Sequence, residues 1–538
     1  MPPNYEQIKK KLHTALKLGG FMVRREFCAL IVDKFLEQRI DLDNKHYLDN
    51  CIKNLCTSLE NQCLIDQSIE REHIERALEV CLNSGYDRNE TVINVISAFE
   101  FPKFAYNVDR KQYFLSGHKP KLLSSPTSKT QLFLDRYTAI LQRTKRNFQQ
   151  KITEDNSVKL ELQTVDYLLT LSYVSLNHTL ILGSLLQVSE GKYYLEDPTG
   201  IVQLDLSHAV YYGGLFVENS FVLVNGHYED RIIKVSTIIL PPGEEYQNSR
   251  PLFNKLNYFG GQSLTPLKDS IKLKDHLQRN RGASLMFFSN VWLDHPETFE
   301  KLETLFNGFN PNPPVAFVFM GNFMSECYSS EKMDTLRKLF KQLAELINQF
   351  TNLVTHSHFI FVPGLEDPCT SYVVPRLPMP SVVTEEMTKT IHDNVIFTTN
   401  PCRIQYCTKE ITVFRADILP KLLQASLHKP SKAELADNLT RTIISQGHLA
   451  PLPLNALTVH WDFDHALSLY PLPDLVVIGD KAESYQGKYK GCQLMNPVSG
   501  FSTVSSCCNT LFQGSFCESG FQFKAYTPFS DKIEDCIL

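Results

Sequence analysis

Four short, unbroken runs of apolar residues constrain the fold of this chain more than any other feature. They are SLMFFS (284–289), AFVFMG (316–321), HFIFVPG (358–364) and DLVVIG (474–479). Runs of this length without polar interruption are typical of strands that are buried on both faces, as in the parallel sheets of α/β proteins. Amphipathic segments such as 330–350 separate the first three. The pattern predicts an α/β domain over residues 270–538, with a site-forming edge at the carboxyl ends of its strands.

A different pattern, with a period of two, begins at Thr179. Apolar and polar residues alternate there, and glycine-containing turns divide the stretch into five short strands. Five short strands in about seventy residues predict an OB-type β-barrel, placed at residues 166–260. Such barrels often bind single-stranded nucleic acid through aromatic residues over a basic groove. Here the sequence has Glu196, Asp197 and Asp205, so the surface is not basic and a protein-binding barrel is favoured.

The first 85 residues have helical periodicity instead. Apolar residues recur there at spacings of three and four, and four helices are predicted, at residues 5–18, 24–39, 45–59 and 69–82. Gly19 and Gly20 end the first of them. Residues 1–85 are therefore predicted to form a small all-α domain. It serves either as helical scaffolding or as a docking module on a tether.

Residues 86–165 are predicted to form a linker with a basic segment. From Arg110 to Lys151, ten lysine or arginine residues stand against one acid, Asp135. The basic run could lie along phosphates or along an acidic protein surface, and the alternative is a solvated linker. An amphipathic helix is predicted within it, with an apolar face of Leu132, Tyr137 and Leu141. Candidate nucleic-acid contacts are Arg143, Lys145 and Arg146.

Composition sets limits on the whole chain. At 538 residues the chain is long enough for about three domains. Its net charge of -5 argues against a protein that coats nucleic acid over its entire surface. No apolar run reaches the ~18 residues of a membrane span. The 14 cysteines are scattered, so they are predicted to be thiols in a reducing compartment.

Several other chemistries lack their sequence signatures. The chain has no GxxxxGK(S/T) phosphate loop, no GxGxxG dinucleotide fingerprint and no GxSxG nucleophile turn. Cys402 and Cys407 lack the paired spacing of a zinc site. His356 and His358 are interpreted as ordinary polar residues at the start of a strand. No cofactor is therefore predicted.

The order of strands and of the residues that follow them resembles the calcineurin-like metallophosphoesterases. In that family, Asp and His residues after successive strands hold two cations that activate a water molecule. The equivalent positions in this chain are Asn290, Trp292, Asn322, Asp367, His448 and Asp480. An amide offers one neutral oxygen and cannot offset the repulsion between two dications. We therefore expect a phosphoesterase-like fold with a degenerate metal site and no catalytic residue.

Longer stretches resemble the B subunits of replicative DNA polymerases. They include YLEDPTGIVQLDLS, FVPGLEDP, NPCRIQYC and SQGHLAPLPL, within residues 180–482. The resemblance implies a non-catalytic accessory subunit in the nucleus, whose barrel and phosphoesterase-like domain hold the C-terminal domain of the catalytic subunit. It also implies that the N-terminal helical domain docks on the GINS part of the CMG helicase. Small histone-fold subunits are expected in the same holoenzyme, and DNA is a further candidate partner.

Two alternative functions stay open. A residual phosphoesterase could use one metal ion held by Asp367, His448 and Asp480. A single-stranded DNA-binding module could use the barrel together with the basic segment of residues 110–151. The sequence offers few of the metal ligands or basic groups that these functions require. An assembly protein is therefore favoured.

Overall fold

The computed structural model divides the chain into two compact units. The smaller contains Met1–Thr91, Pro102–Lys119 and Arg250–Ser270, and the larger contains Val92–Phe101, Pro120–Ser249 and Ile271–Leu538. The residues that the structure describes are 5–18, 20, 21, 23–37, 52, 55, 56, 59, 71, 73–75, 77, 78, 91–154, 161–171, 175–254, 256–263, 265–326, 329, 332–368, 372–497, 516, 517 and 520–538.

The elements are numbered here in chain order. The helices are α1 (Tyr5–Leu18), α2 (Arg25–Glu37), α3 (Pro126–Glu154), α4 (Val165–Thr170), α5 (Tyr246–Ser249), α6 (Ile271–Arg279), α7 (Thr298–Phe309), α8 (Met333–Asn348), α9 (Thr351–His356), α10 (Ser381–Ile391), α11 (Leu419–Ala425) and α12 (Leu435–Gln446). The strands are β1 (Ile93–Ser97), β2 (Phe104–Asn107), β3 (Gln112–Leu115), β4 (Leu176–Ser189), β5 (Lys192–Asp197), β6 (Gly200–Asp205), β7 (Val210–Tyr212), β8 (Phe221–Glu229), β9 (Ile232–Ile239), β10 (Leu285–Ser289), β11 (Ala316–Met320), β12 (His358–Val362), β13 (Val395–Phe397), β14 (Cys402–Tyr406), β15 (Lys409–Arg415), β16 (Leu475–Gly479), β17 (Gln486–Tyr489), β18 (Cys492–Met495), β19 (Gln522–Thr527) and β20 (Lys532–Ile537).

In the smaller unit, helices α1 and α2 bury apolar side chains in one cluster. Its members include Ile8, Leu12, Leu16, Ile31, Val32 and Phe35. These two helices match the first two predicted ones, but most of the third and fourth lies outside the described residues, so the all-α domain stays a prediction. The same unit contains a hairpin of β2 and β3. Its Tyr113 stacks on Phe253, with ring centroids 4.4 Å apart.

The larger unit contains the predicted barrel. Its strands are arranged in the order β6-β5-β4-β8-β9-β7, and a parallel pairing of β6 with β9 closes the sheet on itself. Inward-facing residues such as Leu185, Leu195 and Ile233 form its core. Gly226 lies where the register between β8 and β9 shifts, and a Cβ atom there would lie 2.4 Å from the Lys234 carbonyl oxygen. Glycine therefore fits this position, whereas any larger residue would displace the neighbouring strand.

Two six-stranded sheets form the α/β part of the larger unit. One has the order β13-β12-β11-β10-β19-β20, and the other has the order β1-β14-β15-β16-β18-β17. Three of the predicted apolar runs form the parallel strands β10, β11 and β12, and the fourth forms β16 in the second sheet. Every residue of these four strands except His358 is buried. The predicted α/β part is therefore confirmed.

Part of the predicted linker is folded into the larger unit. Strand β1 lies inside residues 86–165, yet it pairs antiparallel with β14. A 3₁₀ helix, Trp461–Leu467, holds the chain on both sides of the hairpin. A ring nitrogen of His465 lies 3.1 Å from the Phe101 carbonyl oxygen, and the Lys121 N–H donates to Asp462 at 3.1 Å. The sequence pattern does not reveal these contacts because β1 is short and its partners lie more than 300 residues later.

Helix α3 matches the predicted amphipathic helix and extends it to 29 residues. Its Ile140 and Phe148 pack on apolar residues of the barrel, namely Leu182, Phe221 and Leu223. The helix therefore belongs to the packed body of the larger unit, although its sequence placed it in a predicted linker.

Two further observations concern the described residues only. None of their helices is long and apolar enough to cross a membrane. Their cysteines are free thiols, as the scattered spacing predicted: Cys28, Cys56, Cys402, Cys407, Cys492, Cys517 and Cys536.

Candidate functional site

The carboxyl ends of β10, β11, β15 and β16 meet around one buried side chain, Arg415. Arg415 is the last residue of β15, and its side chain is fully buried. Its guanidinium group donates to four acceptors: the Gly321 carbonyl oxygen at 2.6 Å, the Gly479 carbonyl oxygen at 3.0 Å, Asp417 Oδ1 at 2.8 Å and Asn290 Oδ1 at 2.7 Å. Asn290 and Gly321 directly follow strands of one sheet. Gly479 ends a strand of the second sheet, and Asp417 follows another strand of that sheet. The guanidinium group therefore joins the two sheets at their carboxyl edges.

The two amides at this edge each have a specific hydrogen-bonding role. Asn290 Oδ1 accepts from Arg415 and from the backbone N–H of Asn322, which lies 3.1 Å away. The Asn322 side chain donates to Glu366 Oε2 at 2.5 Å and accepts from the Glu366 backbone N–H at 3.2 Å. An aspartate at position 322 could not donate, and its charge would repel that of Glu366. The amide is thus the side chain that suits its neighbours here.

Asp367 lies beside these amides but binds backbone groups. Its Oδ1 accepts from the Phe323 N–H at 2.8 Å, and its Oδ2 accepts from the Gly364 N–H at 2.7 Å. Burial raises the pKa of this carboxyl group, although the two hydrogen bonds and the nearby arginines oppose the shift. A Cβ atom at Gly321 would lie 1.8 Å from Asp367 Oδ2, so only glycine fits next to this carboxylate.

Asp480 fixes the start of helix α11. Its Oδ2 accepts from the N–H groups of Ile418 at 3.0 Å and Leu419 at 2.8 Å, and its Oδ1 accepts from the Ala482 N–H at 3.1 Å. The side chain is completely buried. Burial raises the pKa of Asp480 to about 6, against the effect of the hydrogen bonds. Asp480 therefore replaces a missing cap at the helix N-terminus.

Charges of both signs surround the crevice. Burial favours the neutral form of Asp417. The Arg415 cation and, to a smaller extent, Lys481 favour the charged form more strongly, so the pKa of Asp417 is lowered. The Lys481 ammonium group also lies 3.3 Å from Glu366 Oε1. Among the residues that the structure describes, no group of three or more His, Cys, Asp or Glu side chains is arranged to hold a metal ion. The described groups of the crevice thus bind one another.

Two of the six predicted positions lie elsewhere. Trp292 is buried in the apolar core beside the first sheet. His448 follows helix α12, and its Nε2 lies 3.3 Å from Asp464 Oδ1. Burial and the nearby Arg136 lower the pKa of His448. The structure brings Asn290, Asn322, Asp367 and Asp480 together around Arg415, but it gives His448 a different set of neighbours.

The candidate nucleic-acid contacts differ in accessibility. Arg143 is buried, and the Arg146 guanidinium group donates to both oxygens of Glu244, at 3.0 and 2.7 Å. Arg146 also donates to the Tyr470 hydroxyl at 3.0 Å. Lys145 is exposed. Burial and ion pairing make Arg143 and Arg146 poorly suited to bind phosphates, whereas Lys145 stays a candidate.

Arg415 and Asp417 were not among the predicted site residues, although both lie in the stretch ITVFRAD. A signal was present, because an arginine directly follows four residues of a buried strand. Buried charges need partners, so such a residue points to a fixed hydrogen-bonding site. Asp417 is only two residues away, but the other three partners could not be identified from the sequence, since they lie at the ends of three other strands.

Arg415→Met should lower the free energy of unfolding by about 3–5 kcal/mol, because it removes the cation that Asp417 faces and the donors of two buried carbonyl groups. Arg415→Lys should also destabilise the fold, since an ammonium group does not match the planar set of four acceptors. Urea denaturation of the full chain measures both effects. Exposed Arg279 provides the control, because Arg279→Met should change stability by less than about 0.5 kcal/mol. Equal stability of Arg415→Met and the wild type would contradict the role given to Arg415.

Asp480→Asn tests the raised pKa of this carboxyl group. The folded-state pKa of about 6 exceeds the unfolded value near 4, so the contribution of the protonated group to stability is lost as the pH rises from about 4 to about 6. The amide keeps one of the two acceptor oxygens, and the cost of losing the other does not depend on pH because the amide does not titrate. The stability of the variant relative to the wild type should therefore increase by about 3 kcal/mol between about pH 4 and pH 7, measured by urea denaturation. Parallel pH profiles of the two proteins would refute the assignment.

Comparisons with known proteins bear on the barrel and on the α/β part. A domain family described as "DNA polymerase epsilon subunit 2-like, OB-fold domain" matches residues 126–242, which confirms the OB fold of the barrel. The family of the B subunits of DNA polymerases alpha and epsilon matches residues 285–487. A solved structure of a Vps29 single mutant from Entamoeba histolytica covers 48% of this chain and 99% of its own, at 10% identity and a TM-score of 0.20. A score this low carries no argument.

Relatives match along nearly the whole chain. DNA polymerase epsilon subunit 2 of Homo sapiens is 37% identical, with 99% of both chains covered. The protein of the same name from Mus musculus is 36% identical, with 99% of both chains covered. That from Drosophila melanogaster is 35% identical, with 98% of this chain and 97% of its own covered. Within the B subunits of replicative polymerases, the chain therefore belongs to the DNA polymerase epsilon subunit 2 family.

Proposed function

We propose that this chain is the non-catalytic accessory (B) subunit of DNA polymerase epsilon. It scaffolds the catalytic subunit in the nucleus and links it to the replicative helicase during chromosomal DNA replication. The observation that carries the proposal is the buried Arg415 guanidinium group at the meeting point of the strands. A calcineurin-like metallophosphoesterase would need metal ligands at that point. The names of the relatives support the polymerase assignment.

The donor set around Arg415 does not fit a pair of divalent cations. Two-metal catalysis needs a carboxylate that bridges the ions and several further anionic or imidazole ligands. Asn290 and Asn322 are neutral, and the guanidinium group between them adds a fixed positive charge that repels a dication. Asp480 and Asp367 direct their oxygens to backbone N–H groups. These features support a degenerate metal site with an architectural role.

The barrel and the α/β part are proposed to bind the C-terminal domain of the catalytic subunit. Apolar side chains on the outer surface of the barrel support this role: Ile201 is 46% exposed, Val210 49% and Tyr212 55%. Such side chains suit a protein interface better than a phosphate backbone. A permanent interface of about 2,000 Å² or more is expected.

The N-terminal helical domain, residues 1–85, is proposed to dock on the GINS part of the CMG helicase. Its described helices α1 and α2 belong to a compact unit separate from the barrel and the sheets, so the two binding tasks fall on different parts of the chain. The small histone-fold subunits complete the proposed holoenzyme.

Metal binding and hydrolysis test the non-catalytic assignment. We expect the purified full chain to bind no Mn²⁺ at stoichiometric level in a calorimetric titration, and to leave bis(p-nitrophenyl) phosphate unhydrolysed above the rate of the buffer with Mn²⁺. The reason is the fixed Arg415 cation together with the neutral amides. Manganese-dependent hydrolysis that is lost in Asp367→Asn would refute the proposal. Asp135→Asn, on helix α3 and remote from the crevice in sequence, provides a matched control for any loss of activity.

Co-purification tests the scaffold role. The full chain should capture both the polymerase catalytic subunit and recombinant GINS, whereas a chain that lacks residues 1–85 should keep the catalytic subunit and lose GINS. Both proteins are first checked for folding by their thermal unfolding transitions. Capture of GINS by the shortened chain at the level of the full chain would refute the assignment of the N-terminal domain. Failure of the full chain to bind the catalytic subunit would refute the polymerase assignment itself.

A further inference from the structure

A groove of about 820 Å³ opens on the larger unit where three parts of the chain meet. One wall is the first half of helix α3, and the opposite wall is the rim of the barrel. Residues 453–455, from the loop that follows α12, lie at its end. The groove does not overlap the Arg415 crevice, and the proposed function gives it no role so far.

Apolar side chains line the groove although solvent reaches them. Phe133 and Leu134 come from α3 and Leu186 comes from the barrel, while the buried Phe221 forms the floor between them. Leu134 is 36% exposed, and Phe133 and Leu186 are half-buried. On the same helix, Leu132 and Ile140 are almost completely buried. Open apolar surface that lies between packed elements is typical of a site that a partner covers.

The rim of the barrel gives the groove a negative charge. Glu196, Asp197 and Glu218 line the groove on this side, and Lys129 is the basic residue that lines it from the helix. Asp197 is buried and accepts hydrogen bonds from the Val165 N–H at 2.9 Å and the Gly200 N–H at 3.0 Å. Burial, and then the Asp197 charge, raise the pKa of Glu196, so a cation beside Glu196 would be stabilised. The excess of acids argues against a phosphate backbone in this groove.

We infer that this groove receives a polypeptide segment of the polymerase catalytic subunit, one that places a large apolar side chain beside a lysine or arginine. The apolar side chain contacts Phe133, Leu134 and Leu186, and the cationic group faces Glu196 and Glu218. The inference rests on the proposed function, since it takes the catalytic subunit as the partner of the barrel and the α/β part. It adds the location of one contact and the chemistry of the segment that makes it.

Two variants of the full chain test the two parts of this contact. Leu134→Asp removes the apolar surface, and Glu218→Lys reverses the charge of the rim. Each should weaken binding of the purified catalytic subunit at least about tenfold, the effect of losing one central contact. The matched controls are Val188→Asp and Glu190→Lys, because both residues are exposed on the barrel outside the lining of the groove. The controls should bind within about twofold of the wild type.

Salt and photo-crosslinking provide readouts that do not depend on stability. The difference between the wild type and Glu218→Lys should shrink as the salt concentration rises, because screening weakens contacts between charges. Leu134→p-benzoylphenylalanine should crosslink to the catalytic subunit, and the same group at Val188 should not. Mass spectrometry of the crosslinked peptide should identify an apolar residue next to a lysine or arginine.

The outcomes separate this inference from the function on which it rests. If the wild type binds the catalytic subunit and both groove variants bind equally well, the groove assignment is wrong and the scaffold role stands. If the wild type does not bind, the proposed function fails first. A crosslink from position 134 to a second copy of the chain, to a small histone-fold subunit or to an oligonucleotide would overturn the assignment of the occupant. If Leu134→Asp fails to fold, Glu218→Lys and the crosslink decide.

Discussion

The guanidinium group of Arg415 connects the two sheets of the α/β part, and the residues of the crevice are arranged around it. A cation in a buried position needs partners on all sides, because it has lost its water. Here Asn290 and the Gly321 carbonyl group approach from one sheet, and Asp417 and the Gly479 carbonyl group from the other. This requirement explains why two carbonyl oxygens and one amide oxygen line the crevice beside the Asp417 carboxylate.

The amides at this edge have hydrogen-bonding roles of their own. Asn322 uses both polar atoms of its amide: Nδ2 donates to the Glu366 carboxylate, and Oδ1 accepts from the Glu366 N–H. Asp480 also has a hydrogen-bonding role, because it accepts from the first N–H groups of α11. The side chains of Arg415, Asn290 and Asn322 form a connected network of hydrogen bonds with Glu366 and the neighbouring backbone groups. Such a network favours one arrangement of the strands over others.

Sequence patterns predicted the parts of the fold that depend on local periodicity. The four apolar runs became β10, β11, β12 and β16, because strands buried on both faces consist almost entirely of apolar residues. The alternation of apolar and polar residues, together with the glycine-containing turns, predicted the barrel. Strand β1 was not predicted, since five residues of mixed burial carry little signal and their partner β14 lies far along the chain.

The candidate site was predicted in part, for a related reason. Asn290, Asn322 and Asp367 follow strands of one sheet and Asp480 follows a strand of the other, and the order of those strands was visible in the sequence. His448 follows a helix, and its partner Asp464 could be found only once the chain was folded. For the same reason, the basic residues of α3 looked available for phosphates when only the sequence was considered. The acids that pair with Arg136 and Arg146 lie far away in sequence, at Asp464 and Glu244. Counting charges along a segment does not show which of them are already paired.

The short 3₁₀ helix at Trp461–Leu467 has a consequence for the motions of the chain. It binds Phe101 through His465 and Lys121 through Asp462, so the segment between them begins and ends at the same place. The entropy of closing this loop is therefore offset by contacts outside it, and the β2–β3 hairpin is not needed to hold the ends together. Local opening within residues 102–119 would therefore leave the contacts of the 3₁₀ helix with Phe101 and Lys121 in place.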